Sequence, residues 1–275
     1  MEISATRNSG LLNKIIITHQ LSTLKIINGF LSPQFSTGEN EFEKIYISLR
    51  EKEGRILNDE DVAKLPMVSE THPLCKEWKI RKRSSHKLIH HIRMNPQLCN
   101  ILEVGCGNGW FTAMLAGATD GEVCGIDVNR TELRQARKIF LPEKRNLTFL
   151  YGDISSGILA EKKFDLIVFA ASIQYFKSLK KIINTALQHL TLQGEIHILD
   201  SIFYSPQEIV LAKKRSKKYF TDLGFPTMSK FYFHHGLNEL MPFNYSVLHN
   251  PHTWMNRLFH RKNPFYRIVI KNHYT

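Results

Sequence analysis

The sequence is poor in cysteine, with four in 275 residues and no Cys-x-x-Cys pair. Histidine and cysteine show no zinc-site spacing either, so we expect neither a disulfide framework nor a bound metal. Cys106 and Cys124 lie in apolar or glycine-rich segments, where a free thiol behaves as a small hydrophobic side chain. This cysteine usage is typical of a reduced, cytoplasmic protein.

Long apolar runs are missing too. No stretch approaches the ~18 apolar residues of a membrane span. Lys14 and His19 interrupt the apolar stretch near the N-terminus, and no small-residue cleavage site follows it. We therefore expect no transmembrane segment and no signal peptide. Residues 11–31, rich in leucine and isoleucine, are predicted to form a helix packed on the main domain, with contact to a membrane surface as the alternative.

Acidic residues are scarce at the C-terminal end. Residues 201–275 contain 11 lysines and arginines but 3 acids, whereas residues 96–200 contain 11 of each. The formal net charge of +12 therefore lies in the flanks, with +4 in residues 1–95 and +8 in residues 201–275. Such flanks suit an anionic substrate, a nucleic acid or a membrane surface, and a basic surface without a special partner explains them equally well.

The stretch with the clearest pattern is residues 101–110, Ile-Leu-Glu-Val-Gly-Cys-Gly-Asn-Gly-Trp. Its apolar start predicts a strand buried on both faces, and a helical pattern follows it. Between the two, Gly105, Gly107 and Gly109 open the backbone N–H groups and the positive end of the helix dipole to a ligand. A dinucleotide-binding turn has a third glycine where this sequence has Trp110.

Strand-like runs alternate with helical patterns along the middle of the chain, which predicts an α/β fold with a mostly parallel sheet. The predicted strands are residues 100–104, 122–127, 147–151, 164–170 and 194–200. The predicted helices are residues 110–118, a helix from residue 130, residues 179–190 and residues 205–223. Two further strands are predicted over residues 230–234 and 266–270, with no helix between them.

Upstream of this alternation, amphipathic patterns predict helices over residues 41–55 and 77–94, with a short helix capped by Asn58 between them. We therefore divide the chain into an N-terminal helical extension, residues 1–95, and a main domain, residues 96–275.

Acids stand where the predicted strands end, at the edge where open parallel sheets bind ligands. The carboxylate of Asp127 can accept hydrogen bonds from both hydroxyls of an adenosine ribose, and Asp153 follows the next strand. Glu103 precedes the glycine turn, where it would repel a pyrophosphate but suits a positively charged ligand. This carboxylate and the missing third glycine both disfavour a nicotinamide dinucleotide.

Residues 103–109, Glu-Val-Gly-Cys-Gly-Asn-Gly, resemble motif I of the class I S-adenosyl-L-methionine (SAM) dependent methyltransferases. Residues 97–200 together resemble the methyltransferase type 11 group, which acts largely on small molecules and lipid-like metabolites. The resemblance implies a Rossmann-like sheet closed by an antiparallel C-terminal strand pair. It also implies that the N-terminal helices cover the cofactor and that Arg81 or Arg83 meets its carboxylate.

By this resemblance the cofactor is SAM. Glu103 would hold its amino-acid end and Asp153 would face its adenine. The full set of expected cofactor-binding residues is Glu103, Gly105, Cys106, Gly107, Gly109, Asp127, Val128, Asp153, Ile154 and Ala170.

The segment after the fourth strand, residues 170–176, lacks both the Asn/Asp-Pro-Pro-Tyr/Phe element of exocyclic-amine methyltransferases and the Pro-Cys element of cytosine-C5 enzymes. The candidates for a general base are Tyr175, His234 and His235, and at most one of the two histidines should face the pocket if they lie on a strand. We expect a small-molecule or lipid-like acceptor, for which the basic flanks suit an anionic one. The alternatives are an RNA methyltransferase and a SAM-binding protein without catalysis.

Overall fold

The computed structural model of the protein describes residues 24–27, 30–33, 41–254, 256 and 263–272. The strands are β1 (Leu24–Ile27), β2 (Phe30–Pro33), β3 (Ile101–Val104), β4 (Val123–Asp127), β5 (Leu147–Tyr151), β6 (Phe164–Ala170), β7 (Leu190–Ser201), β8 (Phe203–Tyr204), β9 (His235–Gly236), β10 (Asn244–His249) and β11 (Tyr266–Lys271). The helices are α1 (Glu41–Lys52), α2 (Asp59–Lys64), α3 (Cys75–Met94), α4 (Trp110–Ala116), α5 (Arg130–Phe140), α6 (Leu179–Gln188) and α7 (Pro206–Asp222).

A seven-stranded sheet with the order β10-β11-β7-β6-β3-β4-β5 forms the centre of the molecule. Strands β3 to β7 are parallel, and β10 and β11 add an antiparallel edge. Apolar side chains cover both faces of the sheet, and neighbouring residues of one strand point to opposite faces. Val168 belongs to a core cluster with side chains of α3, α4 and α5, whereas Phe169 belongs to the cluster with side chains of α6. The predicted fold class is confirmed.

Local sequence signals set the helix starts. The Asn58 side chain accepts a hydrogen bond from the backbone of Asp61 (2.9 Å), and Asn129 does the same for α5. Ser205 and Glu208 form a complete capping box ahead of α7. The first helix, α1, ends three residues before its predicted end, where Gly54 takes a left-handed conformation (φ 66°).

The C-terminal strand pair is confirmed, but one of its members was wrongly predicted. The partner of β11 is β10, and residues 230–234 form no strand. The chain there ends a 3₁₀ turn, Pro226–Lys230, and then crosses to β9, which pairs with β8 beside α7. This detour keeps residues 230–234 away from the sheet edge.

The predicted helix over residues 11–31 is wrong where the structure describes it, because β1 and β2 pair as an antiparallel hairpin. The overlooked signal is an Asn-Gly dipeptide between two apolar runs, a strong hairpin pattern. The rest of that prediction lies outside the described residues. Helices α1, α2 and α3 account for residues 41–94 as expected, and the domain division stays a prediction. No helix in the described part of the chain has the length and apolarity to cross a membrane.

A polar cluster lies between α3 and the sheet. Glu195 Oε2 is 2.7 Å from His91 Nε2 and 2.9 Å from His197 Nε2, and Lys271 Nζ is 3.1 Å from its other oxygen. Burial opposes ionisation, but these partners hold the pKa of Glu195 well below its usual range. Within the described residues, His91, Glu195 and His197 are the set whose possible metal-ligand atoms lie within 4.8 Å of one another. Because Lys271 already pairs with the carboxylate, we interpret it as a hydrogen-bonded cluster, and the absence of a bound metal stays a prediction.

Candidate active site

The glycine turn after β3 is held in a conformation that other residues rarely adopt. Gly105, Gly107 and Gly109 have φ values of 76°, 52° and 76°. A Cβ on Gly105 would lie 2.5 Å from the Cβ of Ser172, whose hydroxyl donates to the Val104 carbonyl (2.6 Å). The turn therefore packs against the end of β6 so closely that only glycine fits.

Two buried acids flank this turn. Asp127, at the end of β4, accepts hydrogen bonds from the backbone N–H groups of Gly107 and Asn129 (both 2.8 Å). Glu103 accepts one from the Thr112 hydroxyl (2.6 Å). Burial raises the pKa of Glu103 to about 8 and that of Asp127 to about 6. Within the described residues neither carboxyl group forms an ion pair, which suits a cationic ligand.

A third acid belongs to the same group. Glu132 caps α5 through Asn129, and its carboxylate lies close to the Cα of Gly107. Burial, with the Asp127 charge adding to it, raises the pKa of Glu132 to about 7. The sequence analysis did not include Glu132 in the site, because nothing in the sequence marks an acid in the first turn of a helix as buried.

The cofactor cleft, as we call it, consists of two adjoining cavities above the turn. The larger, about 390 Å³, is lined by residues that include Asp127, Val128, Asp153 and Ile154. The smaller, about 130 Å³, is lined by residues that include Glu103, Cys106, Trp110, Arg81 and Ala170. Both cavities share the residues Tyr46, Gly105, Gly107, Glu132 and Ala171.

The three strand-end acids, Glu103, Asp127 and Asp153, therefore meet in one cleft. Gly109 is the exception among the expected cofactor residues. It lines none of the cavities and instead packs on Phe149 and Ala136, where a Cβ would lie within 2.7 Å of both side chains. Its contribution is to let α4 start close to the sheet.

Helix α1 covers the cofactor cleft, a feature the sequence did not indicate at residue level. Phe42 and Tyr46 line the larger cavity. Glu43 accepts a hydrogen bond from the Arg130 backbone (2.6 Å), which attaches the helix to the start of α5. Arg50 lies over the Tyr46 ring (4.8 Å) and donates to the Tyr175 hydroxyl (2.6 Å).

A third cavity, about 580 Å³, opens beside the cleft, and we call it the acceptor cavity. Tyr175 and Ala171 line it together with the larger part of the cofactor cleft, so the two spaces meet at these residues. Its aromatic wall consists of Tyr175, Tyr204, Tyr219, Phe220, Tyr232, Phe233 and Phe265. Its charged lining residues are Arg50, Glu53, Arg55, Lys76, Glu77, Arg81, Asp200 and Arg215.

Ion pairs organise the boundary between the acceptor cavity and the cofactor cleft. Glu77 accepts from Arg55 (2.8 Å) and from Arg81 (2.9 Å). Burial opposes ionisation, but the two guanidinium groups lower the pKa of Glu77 to about 2. Of the two arginines expected near the cofactor, Arg81 lines the cleft, whereas Arg83 is exposed and lines none of the cavities.

Asp200, at the end of β7, is a cavity residue that the sequence analysis missed. Its backbone is left-handed (φ 52°), and its carboxylate accepts from the Ser84 hydroxyl of α3 (2.7 and 2.9 Å). Burial raises the pKa of Asp200. It was overlooked because it ends a predicted strand like any turn residue, and its partner lies 116 positions away.

The three candidates for a general base have different fates. Tyr175 lines both the acceptor cavity and the cofactor cleft, as its predicted role requires. Neither His234 nor His235 lines any of the three cavities, so their role as a base stays a prediction. His234 Nε2 is 2.8 Å from the Ser216 hydroxyl, and burial lowers its pKa to about 4. His235 is buried with Nε2 3.0 Å from the Phe176 carbonyl oxygen.

Comparison with known proteins agrees with this geometry. The fold is that of solved methyltransferases, among them one with bound SAH. Residues 101–194 match the family model described as a methyltransferase domain.

Two curated relatives show how far the similarity extends. Malonyl-[acyl-carrier protein] O-methyltransferase of Acetivibrio thermocellus is 29% identical over 118 residues, which cover 42% of this chain and 41% of that protein. Ribosomal RNA small subunit methyltransferase C of Buchnera aphidicola is 29% identical over 126 residues, 44% of this chain and 37% of that protein. The chain thus matches about two fifths of the length of these relatives.

Among solved structures, magnesium protoporphyrin IX methyltransferase of Synechocystis PCC 6803 with bound SAH has the same fold. Its TM-score is 0.54 at 12% identity, and the match covers 84% of this chain and all of that one.

Proposed function

We propose that this protein methylates a carboxylate oxygen of a small, largely apolar acceptor held in the acceptor cavity. The observation that carries the proposal is the junction at Tyr175 and Ala171, where a cavity with aromatic walls meets the acidic cofactor cleft. An acceptor in that cavity reaches the cleft without crossing solvent.

The cofactor fits the residues of the cleft. Asp127 would accept hydrogen bonds from the ribose hydroxyls, Asp153 and Ile154 would border the adenine, and Glu103 with Arg81 would hold the charged methionine end. Bound there, SAM supplies a methyl group on a sulfonium, which leaves as a neutral thioether when a nucleophile takes the methyl. Helix α1 keeps water from this space, since Phe42 and Tyr46 cover it.

Positive charge prevails where the two spaces meet. Arg50, Arg55 and Arg81 line both the acceptor cavity and the smaller part of the cleft. Within the described residues these arginines form ion pairs with Glu53 and Glu77, so three guanidinium groups share two ion-paired carboxylates. An acceptor carboxylate at this junction would balance the remaining charge and lie beside the cofactor.

A carboxylate nucleophile also agrees with the absence of a histidine from the lining of the described cavities. An alcohol or amine acceptor benefits from a base that removes its proton, whereas a carboxylate is already ionised at neutral pH. The Tyr175 hydroxyl, which accepts from Arg50, would then orient the acceptor. The Acetivibrio relative is named for O-methylation of a malonyl group, which is a reaction of the same kind.

The test is a labelling assay with the purified full chain and radioactive SAM. We expect label in aliphatic and aromatic carboxylic acids and its release as methanol in alkali, because methyl esters hydrolyse there. The corresponding alcohols and amides should stay unlabelled. Alkali-stable label, or preferential labelling of RNA, would contradict the proposal.

A matched pair of variants on α3 sharpens this test. Arg81→Gln removes a cation from the junction, and Arg83→Gln removes one from the exposed side of the same helix. We expect the first to lower kcat/KM for the acid at least ~10-fold, the loss of a charged hydrogen bond, and the second to change it less than ~2-fold. Equal effects would remove the junction from the argument.

A further inference from the structure

Helix α7 has two faces of different character. Its inner face forms part of the acceptor cavity, through residues that include Ser216 and Phe220. Its outer face carries exposed lysines and aliphatic side chains. We define the basic face of α7 as Val210, Leu211, Lys213, Lys214, Lys217 and Lys218, all of them exposed.

The charge of this face is of one sign. Residues 209–221 contain five lysines and arginines and no acid. Of the four lysines of the basic face, Lys218 forms an ion pair with Asp222 (2.8 Å). The other three form no ion pair within the described residues. A surface of this kind attracts polyanions through long-range Coulomb forces.

Aliphatic side chains interrupt the charge. Val210 is 57% exposed and Leu211 is 56% exposed, although exposing an aliphatic side chain to water costs free energy. Ile202, which lines the acceptor cavity, is also 39% exposed. A phosphate backbone offers these groups no apolar environment, whereas a lipid surface takes both the cations and the aliphatic groups.

We propose that the basic face of α7 docks on an anionic lipid surface and brings the acceptor cavity next to it. The lysines lie against the anionic head groups, and Val210 and Leu211 enter the boundary between head groups and acyl chains. Because the inner face of the same helix is a wall of the cavity, a lipid-like acid leaving the surface has a short path into the cavity. Docking itself does not require methyl transfer.

The experiment measures sedimentation of the full chain with vesicles of phosphatidylcholine alone and with added phosphatidylglycerol. We expect binding to the anionic vesicles at least ~10-fold stronger than to the neutral ones at low salt, and weaker binding as salt rises. Equal binding to both, or no binding to either, would overturn the proposal.

Matched charge variants locate the contact. Lys213, Lys214 and Lys217 are replaced by Gln in one protein, and the exposed Lys177, Lys180 and Lys181 near the start of α6 in the other. Both lose three charges. The first should lose most of its vesicle binding, and the second should bind within ~2-fold of the parent. An equal loss in both would show net charge alone and would overturn the assignment to α7.

A charge-neutral variant separates a lipid surface from other polyanions. Val210→Ser with Leu211→Ser keeps every lysine, so binding to RNA should be unchanged. We expect at least ~3-fold weaker binding to anionic vesicles. Unchanged vesicle binding would exclude insertion and leave an acidic macromolecule as the partner. Calorimetry with S-adenosylhomocysteine checks that each variant keeps its cofactor cleft, so failure here is distinct from failure of the proposed function.

Discussion

The cofactor cleft and the acceptor cavity meet at Tyr175, yet they are built from different parts of the molecule. Strand ends and glycine backbone form the cleft, which holds the buried acids Glu103, Asp127 and Glu132. Helices and loops of both flanks form the cavity, with aromatic walls and arginines. The larger part of the cleft is thus lined by acids, whereas three arginines line both the acceptor cavity and the smaller part of the cleft. Under the proposed function, this difference would let one fold hold a cationic cofactor beside an anionic acceptor, each near side chains of the opposite charge.

The glycine turn should give the largest effect on the cleft side of this comparison. Gly105→Ala adds a Cβ 2.5 Å from that of Ser172, at a positive φ. We expect a loss of about 2–4 kcal/mol in the free energy of unfolding, from overpacking and backbone strain together. Gly157→Ala is the control, since its φ is +77° but nothing lies within 4 Å of the new Cβ. Urea unfolding of both proteins should separate the clash from the strain, and equal losses would contradict close packing at the turn.

The ribose-binding role of Asp127 comes next. Asp127→Ala removes the carboxylate at the end of β4, and we expect SAM and S-adenosylhomocysteine to bind at least ~10-fold more weakly, about 1.4 kcal/mol. Asp120→Ala, an exposed acid between α4 and β4, should leave the affinity unchanged. Calorimetry measures both. A parent-like affinity of the Asp127 variant would exclude this role.

The pH dependence of binding probes the acids of the cleft directly. In the empty protein the pKa values of Asp127, Glu132 and Glu103 are raised to about 6, 7 and 8. A cation is bound best when these groups are ionised, so SAM affinity should rise as the pH increases from 6 to 8 and level off above. We expect a rise of about 10-fold for SAM. S-adenosylhomocysteine, which lacks the sulfonium charge, should show a smaller rise, and identical profiles would speak against an electrostatic role.

The smallest expected effect lies at the junction. Tyr175→Phe removes the hydroxyl that accepts from Arg50, and we expect kcat/KM for the acceptor to fall about 3–10-fold, the energy of one hydrogen bond. Cofactor affinity should stay within ~2-fold. Tyr245→Phe on β10, which lines none of the cavities, is the matched control. A loss confined to cofactor binding would place Tyr175 on the other side of the comparison.

The cofactor half was predictable because its signals are local. Asp127 and Asp153 stand directly after apolar runs, and the carboxyl ends of parallel strands meet at one edge, so their convergence follows from the topology. The acceptor half depends on contacts between distant residues. Arg50 and Tyr175 are 125 positions apart and Ser84 and Asp200 are 116 apart. No periodicity or motif records such pairs.

The surroundings of the two histidines could not be predicted for the same reason. The sequence analysis predicted a strand over residues 230–234, which the structure does not form. The chain there leaves the 3₁₀ segment and His235 begins β9. Polar residues in a tail without regular structure point where packing with distant elements directs them. For His234, that is towards Ser216 of α7.

Helix α1 lies over both the cofactor cleft and the acceptor cavity. Its Tyr46 lines the cleft, and its Arg50 lines the cleft and the cavity. A single helix therefore covers both the cofactor cleft and the acceptor cavity. Under the proposed function, a movement of α1 that releases the demethylated cofactor would also open the acceptor cavity. Release of the cofactor and of the methylated product should therefore be kinetically linked, and the rate of this movement would set an upper limit on turnover.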